Sequence, residues 1–225
     1  MPVAADRYAF STGVLAFFEM PTSDARRILP AHLEPVEVRH QRSILGVNAF
    51  HFMDSPVGPY VELMFSVIVP PVPGSWWQHQ HPKAGFYPFL AATSSEESRR
   101  HRSEVYRIPH IAEDVDARFI ENAAGVLHVN VWTRTGPVVD LTVTQHKWES
   151  TTHLLHTFMM DGTRRLKANL QISGRYTVHE NERGEMTLFP HPITTDLLRQ
   201  DVSPYPFREH WFKNGTEVFH KLEAF

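Results

Sequence analysis

The chain has 225 residues, enough to bury one sizeable core. Hydrophobic residues make up 42%, charged residues 21%, and the net charge of −3 offers no basic footprint for nucleic acid. There is no cysteine, which removes disulfides, thiolate nucleophiles and cysteine-based metal centres together. No apolar run approaches the roughly 20 residues of a membrane span. MPVAADRYAF lacks the basic region and apolar core of a secretory signal, so a cytoplasmic protein without a membrane partner is expected.

In chain order, Arg7 to Met20 reads as a first strand, rich in Phe, Val and Leu. Pro21-Thr22-Ser23-Asp24 turns and caps a short helix, Ala25 to Leu29, ended by Pro30. Leu33 to His40 and Ile44 to Met53 follow as strands. Tyr60 to Val69 (YVELMFSVIV) is almost continuously apolar, as in a central strand, and Glu62 interrupts it. Pro70 to Gly85 is a long proline-bounded loop holding Trp76, Trp77, His79, His81 and Lys83. Loops of that length in a compact domain often serve as lids or binding loops.

Tyr87 to Ala92 is the next apolar strand. Ser94 or Ser95 then caps a charged surface helix from Glu96 to Glu104, with Glu96 and Glu97 favoured by the helix dipole. Pro109 stops that helix, and a strand from Ile111 to Ile120 follows. His110 therefore sits at a rigid corner. Val126 to Arg134 and Val138 to Trp148 alternate around Thr135-Gly136-Pro137 as a hairpin. Arg165 to Glu180 alternates again and turns back at Glu182 to Glu185 into Met186 to Pro190. The tail from Thr195 carries a short helix and a polar-aromatic end. No linker or repeat interrupts residues 1–225, so one domain is expected, mainly β (α+β): antiparallel strands closed into a barrel, with two or three short helices.

Several motifs in this order resemble the acetoacetate decarboxylase superfamily. Leu29-Pro30 … Leu33-Glu34-Pro35 matches its early Leu-Pro … Leu-Glu-Pro signal. Asp54-Ser55 … Gly58-Pro59-Tyr60-Val61-Glu62 matches its Asp-Ser … Gly-x-Tyr-x-Glu. Ser103-Glu104-Val105-Tyr106-Arg107-Ile108-Pro109-His110-Ile111 follows in outline its Arg-Glu-x-x-Gly-[Tyr/Phe]-Pro-Lys-Lys signature. Asp161-Gly162 … Leu166 … Val178-His179-Glu180 … Met186-Thr187-Leu188-Phe189 resembles its late strand pair. The resemblance covers nearly the whole chain and implies a cone-like closed barrel, often oligomeric, hence an expected homo-oligomer.

The departures are chemical. Where the family carries its imine-forming lysine and the neighbouring lysine that tunes it, this chain has His110 and Ile111. The family's arginine falls near Ser11 and its first glutamate near Asn48; its second glutamate remains as Glu62. An imidazole cannot form the iminium electron sink, so acetoacetate decarboxylation by the family mechanism is not expected. His110 is a candidate proton carrier, since its ordinary pKa lies near neutrality; the competing reading is a structural ring bonded to a backbone carbonyl. Glu62 is a candidate partner if it faces inward, where burial would raise its pKa. Arg107, Lys147, Tyr60, Asn48, Tyr87 and Trp76 are candidate substrate contacts. His79 and His81 could reach a metal with His51 or His110, but the loop offers no third ligand at characteristic spacing, so no metal and no cofactor are expected.

The expected function is cofactor-independent lyase or cyclase chemistry on a keto-containing or polyketide-like small molecule. Two alternatives stand beside it: a binding protein for a hydrophobic metabolite, and a decarboxylase using Lys147 or Lys83 as its amine.

Overall fold

A computed structural model describes residues 5–71, 82–180 and 183–225. The elements run β1 (Ala5–Pro21), α1 (Thr22–Ile28), β2 (Glu37–Arg39), β3 (Arg42–Asp54), β4 (Tyr60–Val69), β5 (Gly85–Thr93), α2 (Glu96–Tyr106) and β6 (Val115–Glu121). They continue with β7 (Val126–Thr133), β8 (Gly136–Thr144), β9 (Glu149–Asp161), β10 (Arg164–His179), β11 (Glu185–Leu188), α3 (Thr195–Leu198), β12 (Arg208–His220) and β13 (Glu223–Ala224).

Seven strands pair in the order β1-β12-β10-β9-β5-β4-β3, and β3 pairs back to β1, which closes the barrel. All pairings are antiparallel except one seam, where β5 meets β9 in parallel at Gly85↔His156 and Phe86↔Thr157. Beyond that short contact β5 has Pro109 to Ile111 as its neighbour: Ala91 N–H donates to the Pro109 carbonyl, and Ile111 N–H to the Ala91 carbonyl. Pairing with the backbone after α2 satisfies β5 groups that would otherwise lie unbonded at a buried edge.

Alternation along the strands divides the apolar residues into two cores. In β4, Leu63, Phe65, Val67 and Val69 point outward and pack with Val129, Val131, Val139, Leu141 and Val143 of a second, four-stranded sheet, β11-β8-β7-β6. Tyr60 and Ile68 point inward and join Leu15, Phe50, Phe52, Phe86, Leu155 and Phe219 inside the barrel. Glu62 lies on that inward face, opposite Phe50 of β3 and Thr93 of β5.

The strands at 60–69, 44–53 and 165–180 lie where the sequence places them, as does the hairpin, except that its second strand ends at Thr144 and not at Trp148. Others differ for identifiable reasons. Leu33 to His40 supplies only the three-residue β2, because Pro35 has no N–H to give a ladder. The strand expected from Ile111 begins at Val115, since Ile111 is bonded to Ala91. Helix α1 starts at Thr22, after Pro21, without a side-chain cap. The long strands β9 and β12 have no counterpart in the sequence reading.

Candidate active site

Helix α2 starts as its sequence dictates: Ser95 Oγ accepts from Ser98 N–H at 3.2 Å, with Glu96 and Glu97 in the first turn. It ends at Arg107, whose φ of 57° is the left-handed cap conformation. Its buried residues, Ser98, Arg102 and Tyr106, recur every fourth position and form one face. That face lies against the barrel. Tyr106 Oη donates to Asp6 Oδ2 at 2.7 Å and to the Phe219 carbonyl at 3.2 Å, fixing the helix to β1 and β12.

The helix thereby puts Arg102, 1% exposed, among the inward side chains of the barrel. Its Nη2 donates to Glu217 Oε1 at 2.9 Å and more loosely to Glu62 Oε1 at 3.5 Å. Its Nε donates to Tyr60 Oη at 3.1 Å while lying 3.1 Å from Glu62 Oε2 as an ion pair. The guanidinium rests 4.2 Å from the centre of the Tyr8 ring, and Tyr8 is the cross-strand neighbour of Glu217. Two carboxyl groups thus share one guanidinium away from water. Burial raises both above the usual carboxylate range, with Arg102 offsetting only part of that cost. Each carboxyl also raises the free-energy cost of ionising the other. Both therefore give up a proton less readily than an exposed carboxyl, and the two titrate as one system.

A narrow cavity of about 20 Å³, room for about one water, borders this cluster. Leu15, Phe50, Met64, Phe86, Leu155 and Phe219 form much of its apolar wall, and Asn48, Glu62, Arg102, Glu217 and Thr157 its polar part. Three buried polar atoms here have no hydrogen-bond partner among the described residues: Arg102 Nη1, Glu62 Oε2 and Asn48 Oδ1. Buried polar groups are ordinarily satisfied, so the unused Arg102 donor and Asn48 oxygen on one cavity wall mark a place where another polar molecule would fit.

Of the residues singled out from the sequence, Glu62 and Asn48 line this cavity, and Tyr60 touches its arginine. His110 does not line it. The residue two before it, Ile108, does, and the Ile108 carbonyl bonds His110 Nδ1 at 3.0 Å. A carbonyl only accepts, so Nδ1 carries the proton and Nε2 keeps a lone pair, buried and unpartnered among the described residues. Burial lowers the ring to about 4, against the opposing effect of the Ile108 bond; the charges of Arg102 and Arg99 lower it further. The ring is therefore neutral at pH 7, and its Nε2 lone pair can accept a hydrogen bond.

The remaining candidates stand elsewhere. Arg107 is directed to the surface, 3.7 Å from Asp161, because its cap conformation turns it away from the helix's buried face. Lys147 is exposed and pairs with Glu149 at 3.1 Å, beyond the end of β8. Tyr87 packs with the outer core. Lys83 is exposed. Trp76, Trp77, His79 and His81 lie outside the described residues. Among the described residues no group of three or more His, Asp or Glu is placed to hold a metal ion, and no helix is long and apolar enough to cross a membrane.

Arg102 and Glu217 are absent from the sequence reading. Arg102 lies in the run Arg99-Arg100-His101-Arg102, which resembles a solvated helix face. The available signal was the four-residue spacing Ser98, Arg102, Tyr106, a stripe free of acidic residues.

A seven-stranded barrel closed around a buried polar centre, flanked by a small second sheet, is the acetoacetate decarboxylase-like fold. The whole chain superposes on acetoacetate decarboxylase from Legionella pneumophila over 88% of that protein, with 13% identity and a TM-score of 0.68. It superposes likewise on the enduracididine biosynthesis enzyme MppR complexed with pyruvate, over 91% of that protein with 13% identity and a TM-score of 0.66. An acetoacetate decarboxylase-like enzyme from Sphingomonas wittichii RW1 shares 12% identity, with 94% of its chain covered and a TM-score of 0.58. No protein-family model matches the sequence, and no curated protein matches it.

Proposed function

We propose that the chain is a cofactor-independent enzyme of lyase or cyclase type, performing acid–base chemistry beside the carbonyl of a keto-containing or polyketide-like small molecule. The observation that supports this most directly is the coupled carboxyl pair, Glu62 and Glu217, sharing one buried arginine at the wall of a cavity. A carboxyl raised by burial keeps a proton that an exposed one has lost, and one proton shared by the pair would let it both take and return a proton. In the proposed step the C–H bond next to the carbonyl breaks. Its proton passes to a Glu62 oxygen, and the bonding electrons move to the carbonyl oxygen as an enolate. Protonation elsewhere, loss of a β-substituent, or attack on a second carbonyl would then give isomerisation, dehydration or cyclisation.

His110 would enter as a second, neutral base only by moving toward the cavity that its neighbour Ile108 lines, its role resting on the bare Nε2 lone pair. The solved structures with this fold include one complexed with pyruvate, which supports the choice of a keto compound as substrate. No lysine lines the cavity among the described residues, so imine formation through Lys147 or Lys83 has no support from geometry. The small free volume implies that a substrate enters only as side chains such as Met64 move aside.

The test is exchange of α-protons with deuterated solvent across a panel of ketones and keto esters. Glu62→Gln should slow exchange of any substrate found by about 10²- to 10⁴-fold, and His110→Ala by a smaller factor. Wild-type rates in both variants would remove these residues from the chemistry. The mostly apolar wall supports a second reading, a binding protein for a hydrophobic metabolite; ligands that bind without any exchange would favour it.

A further inference from the structure

We infer that the centre takes a neutral carbonyl compound, a ketone, ester or lactone, and discriminates against keto acids, its carbonyl oxygen being received by Nη1 of Arg102. This inference rests on the cavity described above and narrows the substrate class.

The argument begins with a charge count. Among the described residues lining the cavity, Arg102 is the only cation, and it already faces Glu62 and Glu217. With one proton shared between the carboxyls the cluster is neutral; with none it carries a single negative charge. A substrate carboxylate would be the third carboxyl on one guanidinium. It would enter a site from which water is excluded, where an unmatched charge is poorly tolerated. The anion could be matched only by protonating both glutamates, which would take Glu62 out of the chemistry as a base.

A neutral carbonyl meets none of these obstacles. The guanidinium has five N–H groups in a fixed fork. Nε is committed to Tyr60 and Nη2 to the two glutamates. Nη1 is buried and has no acceptor. A carbonyl oxygen placed there would satisfy the orphaned donor and gain charge as the enolate forms, so the bond would strengthen in the transition state. Arg102 would thus do by hydrogen bonding what an iminium does covalently. Asn48, whose Oδ1 also lacks a hydrogen-bond partner, and Glu62 line the cavity; their oxygens repel a carboxylate and suit a hydroxyl or a C–H made acidic by the carbonyl.

The discriminating probes are methyl pyruvate and pyruvate, which share a keto frame and differ in charge. Binding to the full chain at neutral pH is followed by saturation-transfer NMR, and deuterium uptake at the methyl group is read in the same samples. Methyl pyruvate should bind, and pyruvate should bind at least about tenfold more weakly, the scale on which a neighbouring charge acts on a carboxylate. Replacing both carboxyls, Glu62→Gln with Glu217→Gln, leaves the guanidinium unmatched while keeping the shape, and should shift the preference toward pyruvate by about tenfold. Pyruvate binding as tightly as the ester, failure of the ester to bind, or an unchanged preference in that double variant would each overturn the inference. Ester binding without deuterium uptake would leave it standing and remove the catalytic reading instead.

Discussion

Arg102→Met should lower the stability of the fold by about 3–5 kcal/mol, the range measured when one partner of a buried ion pair is removed. The substitution leaves Glu62 and Glu217, 5% and 4% exposed, with no cation between them. It also removes the contact with the Tyr8 ring and the donor to Tyr60. The sign of the pH dependence follows from the carboxyls. Their folded-state pKa values already lie above the unfolded ones and rise further once the guanidinium is gone. The deficit is therefore largest at and above neutrality, where both would be ionised in the unfolded chain, and shrinks as acid protonates them in the folded one. Urea unfolding at pH 7.5 and pH 5.5 measures it. Adding Glu62→Gln and Glu217→Gln to Arg102→Met should restore most of the loss, because no charge is then left buried. A single-variant loss below about 1 kcal/mol, the size of a surface pair, would contradict the picture of a desolvated centre.

The second large effect belongs to the other inward histidines. His153 and His210 sit with ring centres 5.8 Å apart, against Tyr176, Phe17 and Phe212. Both nitrogens of His210 are buried without a partner among the described residues, as is Nε2 of His153. Burial lowers His210 to about 3, with His153, Arg208 and Lys83 adding to the effect, and lowers His153 to about 4 through burial and Lys83. An unfolded histidine titrates near 6.5. Between that value and 3 the unfolded chain takes up a proton at residue 210 that the folded chain refuses. This contribution to stability is whole above pH 6.5 and falls by about 1.4 kcal/mol per pH unit below it. His210→Phe, placed among aromatic neighbours, should abolish that slope, making the variant about 3 kcal/mol less acid-sensitive than the wild type at pH 4. The raised carboxyls Glu62, Glu209 and Glu217 act in the opposite sense, so the comparison is made between the two proteins at each pH. Parallel stability curves would show that residue 210 is solvated.

The fold was legible where one face of a strand is wet and the other dry. The alternation of Val126 to Thr133 and the hairpin that follows could be read directly, because β7 and β8 bury one side against the barrel. Strand β4 was readable for the opposite reason: buried on both faces, it is apolar except at Glu62 and Ser66. Strand β9 is also buried on both faces from His153 to Met159, but histidines and threonines dilute its apolar run. Strand β12 contains Asn214-Gly215, the dipeptide of a tight turn. Here it forms an irregularity inside a strand: Asn214 has φ 48°, opposite the register shift between Ser173 and Arg175 of β10. The missing strand took Glu217 with it.

The same reasoning separates the parts of the site. Glu62 stood out because a carboxyl in an apolar strand demands a partner. The partner did not stand out, because an arginine among arginines looks solvated and only the closed barrel makes one of them internal. Arg107, beside the corner that holds His110, was expected at the substrate; a left-handed cap sends it to the surface instead.

The claim on which the rest depends is that Glu62 and Glu217 hold one proton between them at neutral pH. Infrared difference spectra of wild type against Glu62→Gln and Glu217→Gln, with glutamate carboxyls isotope-labelled, read this directly. The account predicts a carboxylic-acid carbonyl band at pH 7 in the wild type that either substitution abolishes. Two fully ionised carboxylates from pH 5 to pH 8, with no acid band in that range, would contradict it.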